Sequence, residues 1–371
     1  MESSIDASSV LVIGGGPAGL AAALAMRQRG LEVTVVDSCS PPIDKPCGEG
    51  LMPDGIAALQ ELGVAIPSGE VQPFRGVRFV SSGLSAEATF PYGSGYGVRR
   101  TNLHHIMVEH AERAGVQFHW RAVVTGLHSA GAIVQGKLLP SRWIIGADGS
   151  ASRVRRWAGL DVHRKREERF AFRRHYRVVP WAEFMELHWG SSCQLYVTPV
   201  GREEVCVALI SRHSGLHLDE GLREFPEVEK RLRNAAHGSV ERGAVSVTRK
   251  LARVCNARVA LIGDASGGVD AITGEGLCLA FHQADLVATC IASGDLAPYQ
   301  SGHRALGRRP ALMARLMLLL EHRPRLRRRV MRAFIAEPRL FSRMLATHVG
   351  VLSPIDLASN GLVLGLKLLT A

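Results

Sequence analysis

The chain has 371 residues, 46% of them hydrophobic and 21% charged, enough to bury a large core and too many for one compact unit of ordinary size. Two packed domains, or one doubly wound domain with an inserted sheet, are expected. Lys and Arg number 45 against 34 Asp and Glu, a formal charge of +11, so nucleic acid, an anionic membrane surface and an anionic substrate all have to be weighed as partners.

Residues 1–8 are small and polar and read as a frayed terminus. The apolar run 10–13 fits a buried parallel strand. After a cluster of glycines, an Ala-rich helix is expected over 20–29, stopped by Gly30, and an alternating strand over 31–37. Pro, Gly and Cys make 38–55 a loop, followed by a helix over 55–62. Residues 71–96 are strand-like with Gly and Ser breaks, and 100–114 reads as a helix. Two β-like stretches follow at 116–127 and 132–138, then a buried strand at 143–147.

Strand patterns at 170–179, 184–189, 194–197 and 205–210 describe an antiparallel sheet inserted between parallel signals. A strand at 258–262, a Gly-rich loop and a helix over 277–292 restore the first pattern, and from residue 296 onward everything reads as helical. The seven Cys (39, 47, 193, 206, 255, 278 and 290) form no CxxC pair and no His/Cys metal spacing. Reduced thiols in a cytoplasm, and no metal, are therefore expected. Neither a signal peptide nor a run near ~18 apolar residues is read.

Gly14-Gly15-Gly16-Pro17-Ala18-Gly19 stands between the first strand and the first helix. Glycine at Gly14 permits the tight turn, at Gly16 it lets backbone approach a pyrophosphate, and at Gly19 it lets helix press on strand. The helix N-terminus, with Pro17 and Ala18, offers unpaired N–H groups and a positive dipole to the phosphates. Asp37 follows Gly19 by 18 residues, where an acid can hydrogen-bond ribose hydroxyls. This is a dinucleotide site, but the motif does not separate FAD from NAD.

Two later segments do. Gly146-Ala147-Asp148-Gly149-Ser150-Ala151-Ser152-Arg153-Val154-Arg155 resembles the GADGxxSxVR signature of the aromatic-hydroxylase (p-hydroxybenzoate hydroxylase-like) and geranylgeranyl-reductase group of flavoproteins. Gly263-Asp264-Ala265, running on through Thr273-Gly274-Glu275-Gly276 to Leu277, resembles the GDA…GxG signature of the same group. The resemblance implies FAD, with Asp148 and Gly149 at the cofactor and Asp264 on its ribitol. Gly263, Gly274, Gly276 and Leu277 would then lie against the flavin. Arg100, in a segment like the group's VxRxxL, would approach the FAD, the alternative for Arg99 or Arg100 being a helix-start surface charge. Val123 and Val124 fall where the group contacts adenine through backbone.

The fold implied is α/β. A Rossmann-type FAD-binding domain (1–70, 97–160, 255–300) would be interrupted by an antiparallel β-sheet substrate domain (71–96, 161–254) and followed by C-terminal helices (301–371). Lys45-Pro46-Cys47-Gly48-Glu49-Gly50-Leu51 resembles the KxCGxGL loop of geranylgeranyl reductases, which lies beside the flavin. Their YxWxFP substrate motif is present only in part, as Tyr196-Val197-Thr198-Pro199, and the WxWxIP signature of halogenases is absent.

Hydroxylation of an apolar aromatic or polyketide-like molecule by reduced flavin and oxygen is the function placed first. Reduction of an isoprenoid C=C bond is the alternative, and a halogenase or a non-catalytic flavin-binding protein stands third. NADPH or NADH visiting transiently would supply electrons. Catalytic side chains are not assigned, with Cys47 and Glu49 as pocket candidates. Cys47 reads first as a small apolar thiol against the cofactor. Glu49 is either a loop surface charge or a polar group facing the pocket, and His175 reads as part of a solvated strand face.

The Arg-rich stretch 303–343 reads first as a helical cap with solvated arginines, leaving peripheral contact with an anionic membrane open. Nucleic acid is not expected, because no reading motif or aromatic interleaving accompanies the charge. The apolar tail 351–371 is expected to pack and to cover the mouth of an apolar pocket. A cytoplasmic location is expected.

Overall fold

A computed structural model describes residues 9–352. At its centre lies a five-stranded parallel sheet in the order Val259–Leu261, Trp143–Gly146, Ser9–Ile13, Glu32–Asp37, Gln117–Trp120. The Ser9–Ile13 strand sits in the middle, with Val12 in register with Ile145 on one side and Val35 on the other. Its run of Val, Leu and Ile is buried on both faces, as a parallel strand covered by helices must be. The Pro17–Arg27 helix packs beside the Gly276–Ala292 helix. Ala21, Ala22, Ala23 and Ala25 are fully buried, and side chains this small let the two helices approach closely. Arg100–Arg113 is the third helix of this layer.

The second sheet runs Ala236–His237, His163–Arg177, Glu204–Ser211, Cys193–Gly201, Met185–Trp189, Gly76–Ser81, Leu84–Thr89, with Arg242–Leu251 also paired to His163–Arg177. It is antiparallel except where Met185–Trp189 runs parallel to Gly76–Ser81. Residues 71–96 do not all enter it. Gln72–Phe74 and Gly95–Gly97 form a small separate sheet with Gly50–Leu51, so the expected loop at 38–55 contains a short strand. That strand ties the loop to the boundary between the parallel sheet and the second sheet. The following helix starts at Pro53, whose missing N–H costs nothing at a first helical position.

Four helices follow, Ala297–Leu306, Arg308–His322, Pro324–Ala336 and Pro338–His348. The last three join the second sheet in a separate apolar core, where Phe341 lies 4.6 Å (ring centroids) from both Phe79 and Phe334. Each such aromatic pair adds about 1 kcal/mol beyond the area it buries. Among the described residues no helix is long and apolar enough to cross a membrane. The expected frayed start (1–8) and nearly all of the apolar tail, from residue 353, lie outside the described residues.

Candidate active site

A cavity of about 860 Å³ opens between the parallel sheet and the second sheet. All three glycine-bearing segments reach it. The first turn is built for close approach on one side and open space on the other. Gly14 has φ +112°, and a Cβ there would stand 2.4 Å from the Ala147 carbonyl oxygen. At Gly19 a Cβ would stand 1.9 Å from the Gly14 oxygen. At Gly16 it would meet nothing within 4 Å, and the helix beginning at Pro17 has no side-chain cap. Its first N–H groups therefore remain available to an anion in the cavity.

Asp37 ends its strand beside this turn and holds it: Oδ2 accepts the Gly15 N–H at 2.6 Å and Oδ1 the Cys39 N–H at 2.7 Å. His104, which the sequence reading did not single out, supports the turn from behind. The Ile43 N–H donates to His104 Nδ1, leaving Nε2 to donate to the Gly15 oxygen at 2.8 Å. Burial pushes the His104 pKa down, which keeps the ring neutral. Val124 is buried and Val123 half-exposed, and both line the cavity behind Asp37.

Asp148 caps the short Arg153–Trp157 helix, its Oδ2 accepting from Arg153 N at 2.7 Å and Val154 N at 3.1 Å. Its Oδ1 is buried without a partner, and Gly149 beside it has φ +80°. Arg155, from the same segment, reaches the Ala265 oxygen at 3.1 Å and Asp161 at 2.6 Å. It thereby fastens the second glycine segment to the third. There Gly263 and Gly274 both take left-handed conformations, φ +56° and +69°, and Gly276 opens the long helix with Leu277 at the cavity wall. Asp264 receives Lys45 Nζ at 2.9 Å. Burial pushes the Asp264 carboxyl up, but Lys45, aided by Arg100, outweighs it and holds the group below the usual carboxylate range.

The two candidate arginines separate cleanly. Arg99 is locked in a pair of bonds to Glu204 at 2.7 and 2.8 Å. Arg100 lines the cavity with its Nε buried and unpartnered. These observations fit FAD: a glycine cradle with room at Gly16, free helix N–H groups, and two buried polar atoms at Asp148 and Arg100 awaiting a partner. Gly14, Gly16, Pro17, Ala18, Asp37, Arg100, Val124, Asp148, Gly149, Gly263, Asp264, Gly274, Gly276 and Leu277 all line this one cavity. Gly19 does not; it works from behind as a packing position.

The loop from Lys45 to Gly50 forms another wall. Cys47 is half-buried, its Sγ accepting the Glu49 N–H at 3.4 Å. Glu49 is no surface charge. It is 3% exposed, sits at φ +58°, and lies at the cavity wall. Its Oε1 accepts the Arg100 N–H at 2.9 Å and its Oε2 faces His175 Nε2 at 2.6 Å.

His175, expected on a solvated strand face, is fully buried. Its face of the strand looks into the domain boundary, where Arg173 donates to Nδ1 at 3.1 Å and Ser239 Oγ lies 2.7 Å from the same atom. Arg173 is itself paired with Asp44, which Arg242 reaches at 2.7 Å. The Cys206 sulfur lies within 4.8 Å of the facing Glu49 and His175 atoms. Burial pushes this thiol well up, so it stays protonated. Tyr196, from the partial substrate motif, donates its hydroxyl to the Ile272 oxygen at 2.7 Å, and burial pushes its pKa far up; it is a structural hydroxyl, not an acid.

A second, smaller cavity of about 70 Å³ lies under the C-terminal helices and shares Met52, Met185 and Tyr196 with the lining of the large one. Met, Leu, Phe, Val and Ile line it, with polar atoms contributed by Tyr196, Thr273 and His348 among the described residues.

Residues 7–214 match the FAD binding domain family. The chain is 29% identical over 346 residues to a menaquinone reductase of Mycobacterium tuberculosis, covering 85% of this chain and 84% of that protein. It is 27% identical over 320 residues to digeranylgeranylglycerophospholipid reductase 1 of Methanothermobacter thermautotrophicus, covering 79% and 80%. In fold it resembles a flavin-dependent brominase (TM-score 0.80, 18% identity, 92% and 93% covered). A geranylgeranyl bacteriochlorophyll reductase-like protein from Thermoplasma acidophilum is also similar in fold (TM-score 0.73, 21% identity, 83% and 87% covered). With a cavity shaped for the cofactor and a family model matched over more than half its length, the chain belongs to the FAD binding domain family and is an FAD-dependent oxidoreductase.

Proposed function

We propose that the protein reduces carbon–carbon double bonds in an isoprenoid lipid. The observation that carries this reading is the apolar cavity beneath the C-terminal helices, which shares Met52, Met185 and Tyr196 with the cofactor cavity and serves as its apolar extension when those side chains turn aside. A linear hydrocarbon gains from such a lining along its length, at roughly 25 cal/mol per Å² removed from water. A compact aromatic substrate would leave it unused. The names of the two curated relatives, both reductases, support the same direction. Together they move the reading from hydroxylation, placed first on sequence, to reduction.

The glycine turns with Asp148, Asp264 and Arg100 would hold FAD, which, once reduced by a nicotinamide donor, would supply the hydride for one alkene carbon. The chain's own residues do the rest. Met52, Met185 and Tyr196 line both the cofactor cavity and the apolar extension and keep water from the reacting carbons. The other alkene carbon takes its proton from solvent entering the polar side of the cavity, where Glu49, bonded to the buried His175, fixes the loop.

Anaerobic mixing of the reduced, FAD-loaded protein with a geranylgeranyl lipid tests the reading. Flavin reoxidation should be matched by a product that has gained two hydrogens per double bond, read by mass spectrometry. A product that forms only with oxygen and carries an added oxygen atom would sink the proposal and restore hydroxylation. Flavin that resists reduction by both nicotinamides and turns nothing over would point to a binding protein.

A further inference from the structure

The last three described helices turn a regular pattern of arginines outward. Along Arg308–His322 the positions Arg308, Leu312, Arg315, Leu319 and His322 are all exposed. Their spacing alternates between four and three residues, which makes them one stripe. Along Pro324–Ala336 the stripe is Arg325, Arg328, Arg329, Arg332 and Ile335, and Pro338–His348 adds Arg339 and Arg343. The opposite faces carry Leu320, Val330, Phe334, Leu340 and Phe341 into the second core. Nine arginines from Arg308 to Arg343 are exposed, and no Asp or Glu in that stretch is. Of its two acids, Glu321 is held by Arg169, and Glu337 is half-buried.

Solvated arginines on a helical cap would be the plain account of such a surface. Two features go beyond it. A single-signed field of this density repels itself and is costly without a partner of opposite sign. Leu312, Leu319 and Ile335, exposed by 36%, 45% and 45%, are interleaved with the arginines, where a surface made only for water would carry polar groups. Guanidinium groups reaching phosphates, with aliphatic side chains between them entering the acyl boundary, are what a headgroup layer accommodates. Bases would call for aromatic stacking, and the exposed positions of these three helices contain no aromatic ring other than His322.

We propose that the outer stripes of these helices dock the protein on an anionic lipid bilayer. The docking rests on the charge pattern and not on the reaction proposed above. If that reaction holds, the arrangement has a use: the inner faces of the same helices line the apolar extension of the cavity, so a lipid leaving the bilayer meets it directly.

The test uses the full-length, FAD-loaded protein and co-sedimentation with vesicles. Phosphatidylcholine alone is compared with a phosphatidylcholine–phosphatidylglycerol mixture, at physiological and at high salt. Binding is expected to the mixture, little to phosphatidylcholine, and loss at high salt. The combined variant Arg325→Gln/Arg328→Gln/Arg329→Gln/Arg332→Gln should lower the partition coefficient by nearly three orders of magnitude, at roughly fivefold per charge near the surface. The matching Arg→Lys set should keep most of it. FAD stoichiometry and melting temperature should be those of the parent. If the glutamine set fails to fold, Arg339→Gln/Arg343→Gln makes the same comparison with a smaller loss. Binding that ignores the substitutions, is equal on neutral vesicles or does not occur overturns the proposal. Tighter retention on duplex DNA than on the vesicles at the same salt overturns it in favour of nucleic acid. Vesicle binding needs no turnover, so this result and the fate of the reductase reading are separable.

Discussion

Glu49 Oε2 lies 2.6 Å from His175 Nε2, between the loop that walls the flavin cavity and a central strand of the second sheet, and both side chains are buried. Because Arg173 donates to Nδ1, the imidazole carries its proton on Nε2 and donates it to Glu49. The bond therefore fixes where the loop stands relative to both domains. His175→Ala would leave a buried carboxyl short of a partner and a cavity beside it, and should cost about 3 kcal/mol. The loop should loosen, raising the Kd for FAD roughly tenfold. Glu49→Gln keeps the shape but offers one acceptor for two donors, and should cost about 1–2 kcal/mol. Urea unfolding of the apo and FAD-loaded forms measures both terms; an unfolding curve for His175→Ala that overlays the parent's would refute the linkage.

The first glycine turn separates folding from cofactor binding. Gly14 needs φ +112° and has the Ala147 carbonyl where its Cβ would go, so Gly14→Ala should yield insoluble or severely destabilised protein. Gly16 has no protein atom within 4 Å of that position. Gly16→Ala should fold with the parent's circular dichroism and yet bind FAD at least tenfold more weakly, because the added methyl occupies space meant for the pyrophosphate. Retention of stoichiometric FAD by Gly16→Ala would move the pyrophosphate elsewhere.

The cofactor half of the site was legible because it is made of local signals. Gly14 to Gly19, Asp148-Gly149 and Gly263-Asp264 each put a glycine with positive φ at a strand end, and each is readable within a dozen residues. The Glu49–His175 pair joins residues 126 apart, and His104 meets Gly15 across 89. No local pattern announces such meetings. Period-two alternation puts Arg169, Arg173 and His175 on one face of their strand. It does not say whether a polar face looks at water or at the neighbouring domain, and here it looks inward, with Arg169 on Asp270 at 2.8 Å and Arg173 on Asp44. The mixed direction of the second sheet was hidden for a related reason. The Met185–Trp189 and Gly76–Ser81 strands are far apart in the chain and alternate in the same way whether paired parallel or antiparallel.

Acid should weaken the third glycine segment. His303 Nε2 lies 2.9 Å from Ser266 Oγ and 3.1 Å from Gln283 Nε2, and Gln283 in turn holds the Gly263 N–H at 2.8 Å. Burial pushes the His303 pKa down from 6.5 to about 4. The unfolded chain therefore binds a proton before the folded one does. The stability contributed by the neutral ring is complete above about pH 6.5 and is lost as the pH falls toward about 4. FAD should leave more readily over the same window. His303→Gln should flatten both profiles there, and FAD fluorescence against pH with parallel melting curves reads them. A parent profile already flat between those values would contradict the assignment.

The apolar extension makes its own prediction about chain length. Met317 is half-buried and lines that space of about 70 Å³, and Met317→Trp should fill it at a cost of about 1–3 kcal/mol in stability. The cofactor cavity lies on the other side of Met52 and Met185, so the FAD Kd should not change. If the extension holds the far end of an isoprenoid chain, kcat/KM should fall roughly tenfold or more for a long chain, the loss of one or two buried isoprene units. A chain too short to reach the extension should be reduced at the parent's rate. Leu320→Ala, which enlarges the same space, should shift the preference toward longer chains. An equal fall for every chain length would mean that Met317→Trp acts through the fold, and no fall at any length would mean that the substrate does not enter the extension.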